Sequence, residues 1–149
     1  NKTIGDLAGP MAFAILMGSS RAFYGKFGDK INLERFMQYS AVLCMVSYLM
    51  IAFIPVPALG ILGCAVCGLS VGIMWPGTFS MAAASVKRGG TALFALLALA
   101  GDVGCSSGPT YVGMISGALN DNLKLGIFAA LIFPVLMIMG IKMIGSLQK

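Results

Sequence analysis

Asp102 has the strongest claim to chemistry in this sequence. It lies in an apolar stretch from about Thr91 to Leu119, roughly a dozen residues or ~18 Å beyond the basic flank, near the middle of a hydrocarbon core ~30 Å thick. A carboxylate at that depth is costly unless it is paired, hydrated or protonated, so it points to a substrate or proton pathway. The plainer role is a structural cap that bonds a neighbouring helix. Arg21 sits about seven residues from the same boundary, where its long stem can snorkel outward or reach toward Asp102. Trp75, Ser106 and Tyr111 are the further candidates for lining such a path.

Enzyme patterns are present but incomplete. Gly68-Leu69-Ser70-Val71-Gly72 has the Gly-x-Ser-x-Gly nucleophile spacing, yet a serine nucleophile needs a base and the chain has no histidine. Asp102 after Gly101 would serve aspartyl chemistry only beside a second carboxylate, and no other acidic residue falls inside an expected helix. Cys64-Ala65-Val66-Cys67 has metal or redox spacing without the remaining ligands, so Cys44, Cys64, Cys67 and Cys105 read as small buried hydrophobes. No phosphate loop or dinucleotide fingerprint occurs. The expectation is a protein that is not an enzyme and needs no metal or other cofactor.

Composition sets the class. Of 149 residues 58% are hydrophobic and 10% charged, with a mean hydropathy of +0.93, whereas charged residues make up about a quarter of a soluble domain. This predicts a polytopic α-helical integral membrane protein with the lipid bilayer as its partner. The net charge of +5 is scattered at helix ends rather than gathered in a patch, which argues against a nucleic-acid partner. Charges, prolines and asparagines divide the chain into five apolar stretches at about 7–27, 36–54, 58–85, 91–119 and 125–144, each long enough to span a bilayer.

Basic residues give these stretches a direction. Lys26, Lys30 and Arg35, then Lys87 and Arg88, then Lys142 and Lys149 fall on one side, against Lys2 and Lys124 on the other. Basic residues in short loops stay in the cytoplasm, so the N-terminus is expected outside and the C-terminus inside a cell membrane, plasma or inner. An odd helix count starting outside, and a first residue Asn1 rather than Met, suggest a piece of a longer protein. The alternative is a five-helix protein processed at its N-terminus.

Small and polar residues mark the first, third and fourth stretches, whereas the second and fifth are bulky. Small residues let helices approach closely in lipid, so the former three are expected centrally and the latter two peripherally. Glycine pairs at i, i+4, namely Gly68 with Gly72, Gly104 with Gly108 and Gly113 with Gly117, suggest close interfaces. Pro76-Gly77 and Gly108-Pro109 are expected to kink the third and fourth stretches around a cavity, and Pro134 to make a simple kink on the lipid side.

The turn between the first two stretches carries a further pattern. Gly25, Asp29 and Lys30 match Gly-x-x-x-Asp-Arg/Lys, and the segment resembles the cytoplasmic loop signature of the major facilitator superfamily, with Asn32 in place of the usual glycine and the following basic run reduced to Arg35. Trp75-Pro76-Gly77-Thr78 and residues 101–109 look like the tenth and eleventh helices of sugar-porter-like members such as the fucose permease group. The resemblance implies helices eight to twelve of a twelve-helix secondary transporter for a small solute, whose partner is the missing N-terminal half. It also implies that Gly25, Asp29 and Lys30 form a conformational gate, with Asp29 facing the N-terminus of a neighbouring helix. A non-transporting membrane scaffold or assembly subunit is the alternative.

Overall fold

The computed structural model describes the backbone of residues 2–86 and 89–147 and the side chains of residues 7–28, 30–86 and 89–146. It is helical throughout, with no strand among the described residues: α1 (Lys2–Phe27), α2 (Leu33–Phe53), α3 (Pro57–Val71), α4 (Met74–Ser85), α5 (Gly90–Ala118), α6 (Leu123–Ala129) and α7 (Ile132–Leu147). Lys87, Arg88 and Lys149 lie outside the described residues, as does the side chain of Lys2. Because α1 extends back to Lys2, Asp6 falls within a helix, and Glu34 lies in the first turn of α2. Asp102 is therefore not alone among the acidic residues in being helical.

Among the described residues, four segments are long and apolar enough to cross a membrane: Leu33–Phe53, Pro57–Ser85, Gly90–Ala118 and Leu123–Ser146. α1 has the length, at 26 residues, but it carries Lys2, Asp6, Arg21 and Lys26 and is not in that set.

The turns follow from local chemistry. α1 runs into a single 3₁₀ turn at Gly28–Lys30, and Asn32 then caps α2, its Oδ1 accepting the Arg35 amide at 3.2 Å. Asn32 thus starts the next helix. Ile54 and Val56 are both extended (ψ 117° and 118°) because each precedes a proline, and Pro57 opens α3 at a position where its missing N–H is harmless. Asn120 and Asp121 turn the chain between α5 and α6 in the left-handed region, both at φ 57°, which short polar side chains tolerate best.

Two expected helices are interrupted. The third stretch breaks at Gly72–Ile73, one turn before Pro76, into α3 and α4; its ladder stops with the Gly72 amide on the Gly68 carbonyl and resumes with the Gly77 amide on the Ile73 carbonyl. The fifth breaks at Ala130–Leu131, where the Leu131 and Phe133 amides bond only three residues back, to Phe128 and Ala130. Pro134, which cannot donate to Ala130, is buried rather than on a lipid-side surface. α5, by contrast, runs unbroken through Gly108 and Pro109.

Packing inverts part of the expected order. α2 is the centre: Met37, Ala41, Cys44, Ser47 and Ala52 form one buried stripe facing α3, α4, α6 and α7. α5 lies outside, with Ser116 its one buried residue. Small side chains make room for a neighbour, but connectivity decides who takes it. Short turns tie α2 between α1 and α3, whereas Gly104, Gly108, Gly113 and Gly117 on α5 face open space.

Gly68 and Gly72 do make a close interface. Gly9 lies near Cys64, Gly68 lies on the Phe13 backbone so tightly that a Cβ would overlap it, and a Cβ on Gly72 would meet the Met17 carbonyl at 2.7 Å. Both series rise together in steps of four, so α1 and α3 run parallel with α2 antiparallel beside them. The basic turn at residues 28–32 and the end of α7 share one side, since Glu34 abuts Gly145, while Phe53 meets Phe128 edge-on at the other. Gly68→Ala should destabilise the protein by ~1–3 kcal/mol through overpacking, whereas Gly104→Ala should be neutral or stabilising by up to ~1 kcal/mol through helix propensity. Thermal unfolding in detergent of the two variants checks the contrast.

Candidate functional site

One face of α5 gathers polar groups. Asp102, Ser106, Thr110 and Met114 follow one another at i, i+4, with Tyr111 alongside, and they line an open groove of about 570 Å³. The Ser106 hydroxyl donates to the Asp102 carbonyl at 2.9 Å, and Thr110 donates to the Ser106 carbonyl at 2.8 Å. With their protons committed to the backbone, both hydroxyl oxygens present lone pairs outward. On the same helix Pro109 leaves the Cys105 carbonyl without its usual amide donor. The Tyr111 ring rests edge-on against Phe133 of α7 at 5.7 Å. The groove is rich in acceptors, a carboxylate among them, and suits a ligand that brings hydrogen-bond donors or positive charge.

The sequence-derived candidates divide between three places. Asp102, Ser106 and Tyr111 come together in this groove. Trp75 lies on the adjoining side of α5, its indole pressed against Gly101 and at 4.8 Å from Phe79, in a separate groove of about 380 Å³. Arg21 is not paired with Asp102: its Nε donates to the Gly72 carbonyl at 3.3 Å. That carbonyl is the one Pro76 leaves without an amide, because residue 76 would supply its i+4 donor. Arg21 thus caps the break between α3 and α4.

At the turn, Gly25 faces open space and Lys30 is exposed, while the side chain of Asp29 lies outside the described residues. Gly77 accommodates the Met37 thioether, since a Cβ there would lie 2.7 Å from its sulfur. Ser70 is 1% exposed and donates to the Cys67 carbonyl at 2.7 Å, so its hydroxyl proton is committed to its own helix. Of the cysteines, Cys44 and Cys67 are buried and Cys64 partly so, but Cys105 is exposed beside the α5 groove because α5 has no neighbour on that face. No group of potential metal ligands occurs among the described residues.

Thr110 and Ser107 were absent from the sequence-derived set, although the four-residue spacing from Asp102 marks Thr110. A second cavity, of about 510 Å³, lies between α1, α2 and α3 and draws on Ser19, Ser20, Phe23, Tyr39, Ser40 and Leu69 among others. No local pattern reveals it, because its walls come from three separate segments. No protein-family model matches the chain, and no curated protein or solved structure is significantly similar to it.

Arg21→Met should cost ~1–3 kcal/mol, the penalty for leaving a buried carbonyl without a partner. In a Pro76→Ala background the restored amide can serve Gly72, so the same substitution should cost at least ~1 kcal/mol less. A double-mutant cycle in unfolding free energy measures the difference, and additive losses would separate Arg21 from the break.

Proposed function

We propose that the chain is the C-terminal part of a major facilitator-type secondary transporter, which moves a small solute, such as a sugar or another small metabolite, by alternating access. The carrying observation is the acceptor-rich groove around Asp102, placed about midway along a helix long and apolar enough to cross a membrane. A carboxylate at that level is expensive in lipid and is repaid by binding a proton or a donor-bearing solute. The match of Gly25, Asp29 and Lys30 to the superfamily's loop signature supports the same reading, as does the gathering of basic residues at one end of the helices.

In this reading the exposed faces of α1 and α5 meet the N-terminal half of the transporter, and the solute path runs between them. Asp102 binds the solute or carries the coupled proton, with Ser106 and Tyr111 beside it and Trp75 flanking the next groove. Arg21 acts through the α3–α4 break rather than by touching solute. The residue-28 turn faces the cytoplasm and gates the path with Gly25, Asp29 and Lys30.

In the full-length protein, Asp102→Asn should abolish accumulation against a gradient while membrane expression stays intact; unchanged accumulation removes Asp102 from the mechanism. A membrane-impermeant maleimide should label Cys105, with solute slowing the labelling, while Cys44 and Cys67 stay unmodified. Failure to label Cys105 in any state would favour a scaffold with no aqueous path.

A further inference from the structure

The cavity between α1, α2 and α3 differs in character from the α5 groove. Phe23, Phe36, Leu43 and Leu69 supply most of its wall area, with Ser19, Ser20, Ser40 and Ser70 between them and Tyr39 at the rim, 72% exposed. The Ser19 and Ser70 hydroxyls are turned back onto their own helices, to the Ile15 and Cys67 carbonyls. No charged residue lines it. With aromatic and aliphatic groups making up most of its walls and no charge among them, such a space suits a hydrocarbon chain.

Among the described residues, cations stand near one end of it. The Lys26 ammonium lies 5.5 Å from the Phe27 ring centroid, that ring lies 5.0 Å from Phe23, and Phe23 is a wall of the cavity. A continuous path of contacts therefore runs from the cation to the cavity. Arg35 stands one helical turn before Tyr39 and next to Phe36, both of which line the space, and it is exposed. The carboxylate of Glu34, beside Arg35, faces elsewhere, toward Gly145 of α7 and the Gln38 amide.

We propose that this cavity holds an acyl chain of an anionic glycerophospholipid whose phosphate rests on Lys26 and Arg35. The inference needs the chain to lie in a bilayer but is independent of any transport activity. Two cations at the end of an apolar slot between membrane-length helices match the lipid's own layout, in which the headgroup phosphate caps the hydrocarbon. A free anion would find the cations but would gain nothing from the walls below them.

The test reconstitutes the full-length chain in nanodiscs of phosphatidylcholine with phosphatidylglycerol and counts the lipids retained after detergent extraction by native mass spectrometry. The wild type should keep phosphatidylglycerol in preference to phosphatidylcholine, and K26Q/R35Q should reduce that preference on the order of tenfold. Leu43→Trp, which fills the slot, should reduce retention of both lipids. Should that variant not insert, phosphatidylglycerol bearing a diazirine on its acyl chain is photolysed with the wild type, and adducts should concentrate in residues 19–43 and 69–70. Equal retention of the two lipids by the wild type, or adducts without enrichment in those segments, overturns the proposal.

Discussion

The interaction on which the rest depends is the hydrogen bond from Arg21 to the Gly72 carbonyl. Where no water is at hand, each backbone carbonyl must find a donor within the protein. Pro76 removes the donor that Gly72 would have had, and a guanidinium from another helix replaces it. The replacement works only if α1 and α3 nearly touch, which is why Gly68 and Gly72 lie against the Phe13 and Met17 backbones. Once α1 and α3 are parallel and in contact, α2 must run back beside them, and the short turns at residues 28–32 and 54–56 leave it no other place.

A central α2 has to bury polar atoms, and it does so without open partners. Ser47 donates to the Cys44 carbonyl at 2.8 Å, and across the interface Ser70 does the same to Cys67. Glycines on the facing helices take up the bulk that α2 brings. A Cβ on Gly63 would lie 2.7 Å from Ile51, and Gly77 makes the room for Met37. Gly63, Gly68, Gly72 and Gly77 are thus spent inside the bundle. Those of α5 at 104, 108, 113 and 117 are not, and α5 is left with an exposed face of small and polar residues.

That exposed face and the α1–α2–α3 cavity are two chemically opposite surfaces of one bundle. The first is lined with acceptors, because serine and threonine protons are tied to the helix backbone and a carboxylate is added. The second is walled mostly by rings and aliphatic chains, with serines between them and no charged residue in its lining. Separation of this kind follows from the bundle's geometry: α5 touches its neighbours through Gly101 against Trp75 and through Val112 and Ser116 against Gly126 of α6, so its polar stripe points away from the apolar walls between the first three helices.

The sequence by itself determined the helical class, the turns and the sidedness of the basic residues, because these rest on local chemistry. Pro55 after α2 and the run Asn120-Asp121-Asn122 after α5 end their helices by local chemistry, and four-residue spacing puts Asp102 and Ser106 on one face in any helix. What Arg21 does, why α2 rather than α5 is central, and where Pro134 lies were decided only by the tertiary structure. An arginine can reach any carbonyl within its stem's length, and the one it reaches depends on which helix packs beside it. Likewise Cys105 resembles the other three cysteines in the sequence, yet it alone is exposed, because burial belongs to the neighbour and not to the residue.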